Sequence, residues 1–325
     1  MTQFDWKILS DLERESSLAE TPGPVMPTSL RSSPLQQRHD YLARASAMLW
    51  RAPCIQRIAE SERGVSNVFS SWSKGIASER SFWSRWFETK GLEWPEDYQN
   101  RTRAKHEFDP SLQKDLLRTS SVVARHLPGH RFRVLDVGAG PLSKIGSFMP
   151  GAKLEVVAAD PLADIYAQLT DAHGVTPAVK TGFAPAEDLS AFFDASSFDL
   201  VHCSNALDHS FEPMRGIVEM LRVVRVGRLV VLRHARNEAE NENYEGFHQH
   251  NFDVVDGKFV IWNQAAKLDV SAQIPIRFSI ENIANGGMVV TKIKKLSEFK
   301  DKDDIRRRDA RLRDVYRQVV TAMSD

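Results

Sequence analysis

Residues 131–140 read RFRVLDVGAG, an apolar run that ends in an acidic residue and then breaks at Gly138 and Gly140. A strand buried on both faces of a parallel sheet reads as such a near-continuous run. Two glycines one residue apart let the chain turn sharply and come close to a bound molecule. A second run, LEVVAAD, ends in Asp160. Ligands of open α/β sheets sit beyond the carboxyl ends of the strands, so Asp136, Gly138, Gly140 and Asp160 are expected to converge on one crevice. Ser143 stands where the dinucleotide fingerprint wants its third glycine, which disfavours a nicotinamide cofactor.

Three further signals follow in order: AEDL at 186–189, FDLVHCSNALDHSFEP at 198–213, and the helix and strand MRGIVEMLRVVRVGRLVVL. Together with VLDVGAGPLS and VVAAD they resemble the class I S-adenosylmethionine-dependent methyltransferases, in the subgroup whose first motif is D-x-G-x-G-P, over roughly residues 120–297. The resemblance implies S-adenosyl-L-methionine as cofactor. Asp160 would accept hydrogen bonds from the ribose diol, and Asp136 would supply compensating charge or an oriented water. Gly138 and Gly140 would leave room for the methionine part, and the Ala186 backbone and Glu187 side chain would line the adenine. The Ser204–Asn205 turn would approach the amino acid end. Two positions depart from the family pattern: Pro185 replaces an acidic residue, and Val226-Gly227-Arg228 replaces a Pro-Gly-Gly turn.

IPIRFSIENIANGGMVVTKIKKL reads as two strands joined through Asn285, Gly286 and Gly287, and VVDGKFVIW as a small hairpin turning at Asp256-Gly257. The expected fold is therefore α/β, a Rossmann-like seven-stranded methyltransferase sheet with an antiparallel closing hairpin, plus an N-terminal helical cap. At 325 residues the chain exceeds one typical domain. Residues 1–35 read as an arm or linker, 36–119 as the helical cap, 120–298 as the cofactor-binding domain and 299–325 as a solvated C-terminal helix. Six of the seven tryptophans, Trp6, Trp50, Trp72, Trp83, Trp86 and Trp94, lie in the first third, and core packing of the cap is the expected use. Gly91 is a C-cap signal. The segment SFWSRWFETKGLEWPEDYQNR is similar to the region before the methyltransferase domain of some bacterial enzymes associated with surface-polysaccharide genes.

Lys plus Arg equals Asp plus Glu at 43 each, which provides no basic footprint for nucleic acid. Cys54 and Cys203 have neither disulfide-framework nor zinc spacing, so a cytoplasmic location is expected. No apolar run approaches the ~20 residues of a membrane span.

Methyl transfer is an in-line displacement, and a hydroxyl acceptor needs a base such as histidine. Five of the ten histidines (His202, His209, His234, His248 and His250) fall on or just after the fourth and fifth strands. His202 reads as a core residue, and His209 matches a position often filled by histidine in the family whatever the substrate. FHQHN is more distinctive. His250, then His248, is the expected base, and a structural role for this loop is the alternative. No metal is expected, because His-x-His without an identifiable third ligand fits known sites poorly, although Asp208 could contribute if the loops meet. The expected reaction is O-methylation of a carbohydrate or polar metabolite, with a small molecule or glycan as acceptor. The alternatives are a secondary-metabolism enzyme and a catalytically silent cofactor-binding partner. No N-P-P-Y motif follows the fourth strand, where Ser204, Asn205, Ala206 and Leu207 stand.

Overall fold

β1 (Arg131–Val137) buries every residue from Val134 onward, and β4 (Phe198–Ser204) is buried as far as Cys203, as the unbroken apolar runs require. In the computed structural model, which describes Trp72 and residues 74–120, 127–300 and 305–324, these two strands form the centre of the sheet. The arm at 1–35, cap residues 36–71, Trp6, Trp50 and Cys54 lie outside the described residues.

The chain order is α1 (74–88), α2 (Pro95–Thr102), α3 (Pro110–Thr119), β1, β2 (Lys153–Ala159), α4 (Ala163–Ala172), β3 (Thr181–Gly182), β4, α5 (Pro213–Val223), β5 (Val224–Ala235) and α6 (Glu238–Asn241). There follow β6 (Asn251–Val255), β7 (Lys258–Trp262), β8 (Lys267–Asp269), β9 (Phe278–Asn285), β10 (Met288–Lys295) and α7 (Ile305–Ser324). Seven strands pair as β3-β2-β1-β4-β5-β10-β9. The first five are parallel, and β10 and β9 close the edge antiparallel. This is the Rossmann-like methyltransferase sheet. The order reverses between β1 and β4, the switch point where ligands of such sheets bind.

Alternation sorts the side chains into two cores. Leu135, Val137, Val201, Cys203, Val230 and Leu232 pack with Ile217 and Met220 of α5. Phe132, Val134, Leu200, Leu229 and Val231 pack with Leu112 and Leu116 of α3. A third cluster joins Trp72, Trp83 and Trp86 to Leu162, Ile165 and Leu169 around α4 and to Val315 and Val319 of α7. The described helix at 74–88 is thus held against α4 and α7 by its aromatics. Trp94 departs from the packing expectation: at 55% exposed it sits just before α2 and reaches no core.

Local signals explain the element ends. The Asp109 carboxylate accepts from the Ser111 and Leu112 amides, capping α3 ahead of Pro110 at its first position. Gly91, at φ +111°, donates its N–H to Trp86 O at 2.8 Å and closes α1 in the manner of a Schellman turn. The Asp256-Gly257 turn, both residues at positive φ, joins β6 to β7; β8 adds a third strand that the hairpin reading lacked. No separate turn exists at Val226-Gly227-Arg228. β5 runs through it with a register shift against Phe198–Leu200, because Gly227 at φ +83° absorbs the irregularity inside the strand. The solvated reading of the C-terminal helix also needs correction. Val315 and Val319 of α7 are fully buried, and Arg311 hydrogen-bonds the buried Asp188, because one face of the helix is apolar despite its mixed charges. Among the described residues, no helix is long and apolar enough to cross a membrane.

Candidate functional site

The loop after β1 folds back on itself. Gly138 and Gly140 adopt φ of +66° and +64°, and a Cβ added at Gly138 would lie 2.2 Å from the Ala206 Cβ, so only glycine fits where the β4 loop crosses. Thr181 of β3 donates its hydroxyl to Gly140 O at 2.7 Å. Asp136 is committed within the protein: its oxygens take Ser143 Oγ at 2.7 Å and His202 Nδ1 at 2.7 Å, the latter directly opposite on β4. Asp136 pins this loop to the central strands, which also gives Ser143 a role in place of the missing third glycine.

Asp160 follows β2 and is 6% exposed. One oxygen accepts from Leu162 N at 2.8 Å and the other from Gly140 N at 3.2 Å, leaving a lone pair on each for a pair of neighbouring hydroxyls. Burial outweighs those two bonds and pushes the carboxyl up to about 7. A carboxylate so short of donors at the lip of a glycine turn fits the ribose diol of adenosylmethionine, and these residues would hold it.

The AEDL segment forms two short 3-10 turns over Ala186–Ala191 that meet at a kink at Asp188, with Ala186 close to Gly216 of α5. Glu187 is buried, and its side chain accepts from the Phe211 and Glu212 amides at 3.1 and 3.3 Å, so it anchors the β4–α5 loop. Asn205, at φ 46°, gives its N–H to Arg233 O and takes that of Ala235 on its side-chain oxygen, both within 2.9 Å, which locks the ends of β4 and β5 together. Ser204 is half-buried at the end of β4.

The β4 loop then carries Asp208 into contact with the FHQHN segment. Asp208 Oδ2 lies 2.9 Å from His248 Nδ1 and 3.3 Å from His209 Nε2. Burial alone would raise this carboxyl, but the charge of His209 and the His248 hydrogen bond hold it at about 2. For His248 burial works downward, and Asp208, helped by Glu238 and Glu242, reverses it and raises the imidazole above 6.5. The Asp208 bond keeps the proton on Nδ1 of neutral His248, leaving the Nε2 lone pair available on a side chain that is 29% exposed. His250 differs: burial lowers it, against the pull of the Asp208 charge and a hydrogen bond with the Ser210 backbone. Of the two histidines that spacing could not separate, the structure pairs His248 with the acid. Asp208, His209 and His248 each bring a possible ligand atom within 4.8 Å of the others, a set that takes one histidine of the His-x-His pair and leaves His250 out. His202 and His234 are buried, and His234 stacks on Phe252.

Three groups border the same crevice: Glu79 and Tyr166, which the sequence did not single out, and Trp83, which it assigned to core packing of the cap. Trp83 covers Gly140, where an added Cβ would be 3.1 Å from its ring. Its indole N–H donates to Glu79 at 2.8 Å, and Tyr166 of α4 reaches the same oxygen at 3.3 Å. The only sequence signal is the i, i+4 spacing of Glu79 and Trp83 on one helix.

Residues 135–232 match the family described as "Methyltransferase domain". With the sheet order and the crevice, the match identifies residues 135–232 as a methyltransferase domain on the class I fold. S-adenosylmethionine is its cofactor. No curated protein matches the chain. Among solved structures it is similar to the CurJ carbon methyltransferase at 14% identity and a TM-score of 0.36, covering 52% of this chain and 50% of that one. This chain therefore spans half the length of that structure. It is also similar to the YcgJ protein of Bacillus subtilis, at 17% identity and a TM-score of 0.32, covering 57% and 100% of the two chains. A third is the Thermus thermophilus 16S rRNA N2 G1207 methyltransferase RsmC in complex with AdoMet and guanosine, at 14%, a TM-score of 0.32, and 60% and 41% coverage.

Proposed function

We propose that this chain methylates a hydroxyl of a carbohydrate or related polar metabolite in the cytoplasm, with His248 as general base. The cofactor supplies an electrophilic methyl group; the chain must supply a held, deprotonating acceptor site. The observation that carries the reading is the Asp208–His248 pair at 2.9 Å beyond the carboxyl end of β4. A sugar hydroxyl is not ionised at neutral pH, and a neutral imidazole with its second nitrogen held by a carboxylate can take the proton as the new bond forms. The balanced charge of the chain supports a small molecule or glycan over nucleic acid.

A second reading rests on the same trio. Asp208, His209 and His248 could hold a divalent ion that orients the hydroxyl. A labelled-methyl screen against nucleotide sugars, glycans and cell extracts tests the activity, and chelation separates the two readings. His248→Ala is expected to lower turnover ~10²- to 10⁴-fold with cofactor affinity nearly unchanged. Normal turnover in His248→Ala and His250→Ala, with no effect of chelator, would refute the histidine base. Methylation confined to aromatic or aliphatic acceptors would favour secondary metabolism, and cofactor binding with no transfer to any acceptor a silent partner.

A further inference from the structure

Glu79 is the carboxylate of this crevice that the methyltransferase motifs leave unused. Its side chain is only 17% exposed, and three different elements meet it. Trp83, one turn along α1, donates its indole N–H at 2.8 Å; Tyr166, six residues after Asp160, donates its hydroxyl at 3.3 Å; and His209 of the β4 loop brings Nδ1 to 4.0 Å from the other oxygen. Trp83 is in turn seated over Gly140. Glu79 is therefore placed between the glycine loop, the helix that follows Asp160, and the loop that carries Asp208 and His209.

What surrounds it is short of positive charge. Among the described residues no lysine or arginine pairs with Glu79, and the neighbouring Arg80 turns away to donate to Ala322 O at 2.8 Å. Asp160 lies close enough for the two carboxylates to repel, which is one of the forces acting on Asp160. Trp83 and Tyr166 are neutral donors that orient Glu79, and His209, whose charge also acts on Asp160 and Asp208, comes no closer than 4.0 Å. Two weakly solvated carboxylates bordering one crevice favour a cationic ligand.

We propose that Glu79 is a cofactor-binding residue whose charge recognises the sulfonium of adenosylmethionine, so that the site holds the methyl donor more tightly than the product. Adenosylmethionine and adenosylhomocysteine share the ribose, adenine, ammonium and carboxylate. They differ in the methyl group and the positive charge on sulfur, which the transfer removes. A carboxylate acting on that charge loses its attraction when the methyl leaves, which assists product release. The inference rests on adenosylmethionine as cofactor and is independent of the acceptor and of the histidine base.

Calorimetry on the full chain with each ligand tests it. Glu79→Gln keeps an acceptor for Trp83 and Tyr166 and removes the charge. It is expected to weaken adenosylmethionine ~10-fold or more, the scale of a charged contact, and adenosylhomocysteine less than ~3-fold. Equal weakening of both ligands, or of neither, overturns the proposal. A second measurement needs no variant: the unmutated chain should bind adenosylmethionine more tightly than adenosylhomocysteine, with the preference shrinking as salt rises. The reverse preference overturns the role of Glu79 while leaving cofactor binding intact, whereas no binding of either ligand overturns both.

Discussion

Asp160→Asn should make the ligand-free protein more stable and the cofactor site worse. The ordinary pKa of this carboxyl, 3.8, moves to about 7 in the fold because burial outweighs its two backbone hydrogen bonds. A displacement of that size corresponds to ~4 kcal/mol against the ionised fold, each pKa step being worth 1.36 kcal/mol. The sign follows from proton binding. The folded state holds the proton more tightly than the unfolded one, so the stability present below pH 3.8 is lost as pH rises from 3.8 to about 7. Asparagine never ionises and escapes that loss, but its NH₂ faces one of the two N–H donors and forfeits ~1 to 3 kcal/mol. The net gain at pH 8 is ~1 to 3 kcal/mol, or roughly 2 to 4 °C of Tm for each kcal/mol. The gain should vanish between about pH 4.5 and 6 and reverse by about pH 4, where the native carboxyl is largely protonated and only the asparagine's lost hydrogen bond remains. Thermal unfolding of both proteins between pH 4 and 8 measures it, and calorimetry with adenosylmethionine should show affinity reduced ~10-fold or more. A variant less stable than the native protein at pH 8, or a Tm difference that ignores pH, would refute the account of Asp160; undiminished affinity would refute its place in the site.

Turnover should fall as pH drops through the His248 pKa, which lies above 6.5, and Asp208→Asn should shift that limb toward lower pH while cutting kcat; a profile flat between pH 5 and 8 would remove His248 from the chemistry. Gly138→Ala should abolish cofactor binding and cost ~1 to 3 kcal/mol in chemical denaturation, from a 2.2 Å clash with Ala206 and a φ of +66°. Adding Ala206→Gly should recover part of the stability, since the clash is relieved and the backbone strain is not. Arg311→Ala leaves the fully buried Asp188 with Arg215 as its cationic partner among the described residues and should cost ~1 to 3 kcal/mol in urea unfolding, with no effect on the ratio of adenosylmethionine to adenosylhomocysteine affinity.

The central sheet is legible in the order of residues, because each of its signals is local. A run such as VLDV is buried on both faces wherever it packs, glycine alone takes the φ of Gly138 beneath Ala206, and Asn285-Gly286-Gly287 turns a hairpin whatever lies beside it. The short β8 and the exposure of Trp94 escaped the pattern, since a three-residue strand has no period and a side chain's burial depends on a neighbour. The chemistry of the site was decided by tertiary structure. His248 and His250 are equivalent in spacing, and the 40 residues that separate Asp208 from His248 had to be folded around α5, β5 and α6 before one imidazole met the acid. Glu79 joins the crevice across 87 residues from Tyr166, through a helix whose own period shows only an amphipathic face. Backbone propensity acts over a few neighbours, whereas the pairing of two titratable groups is settled by where loops come to rest on a completed core.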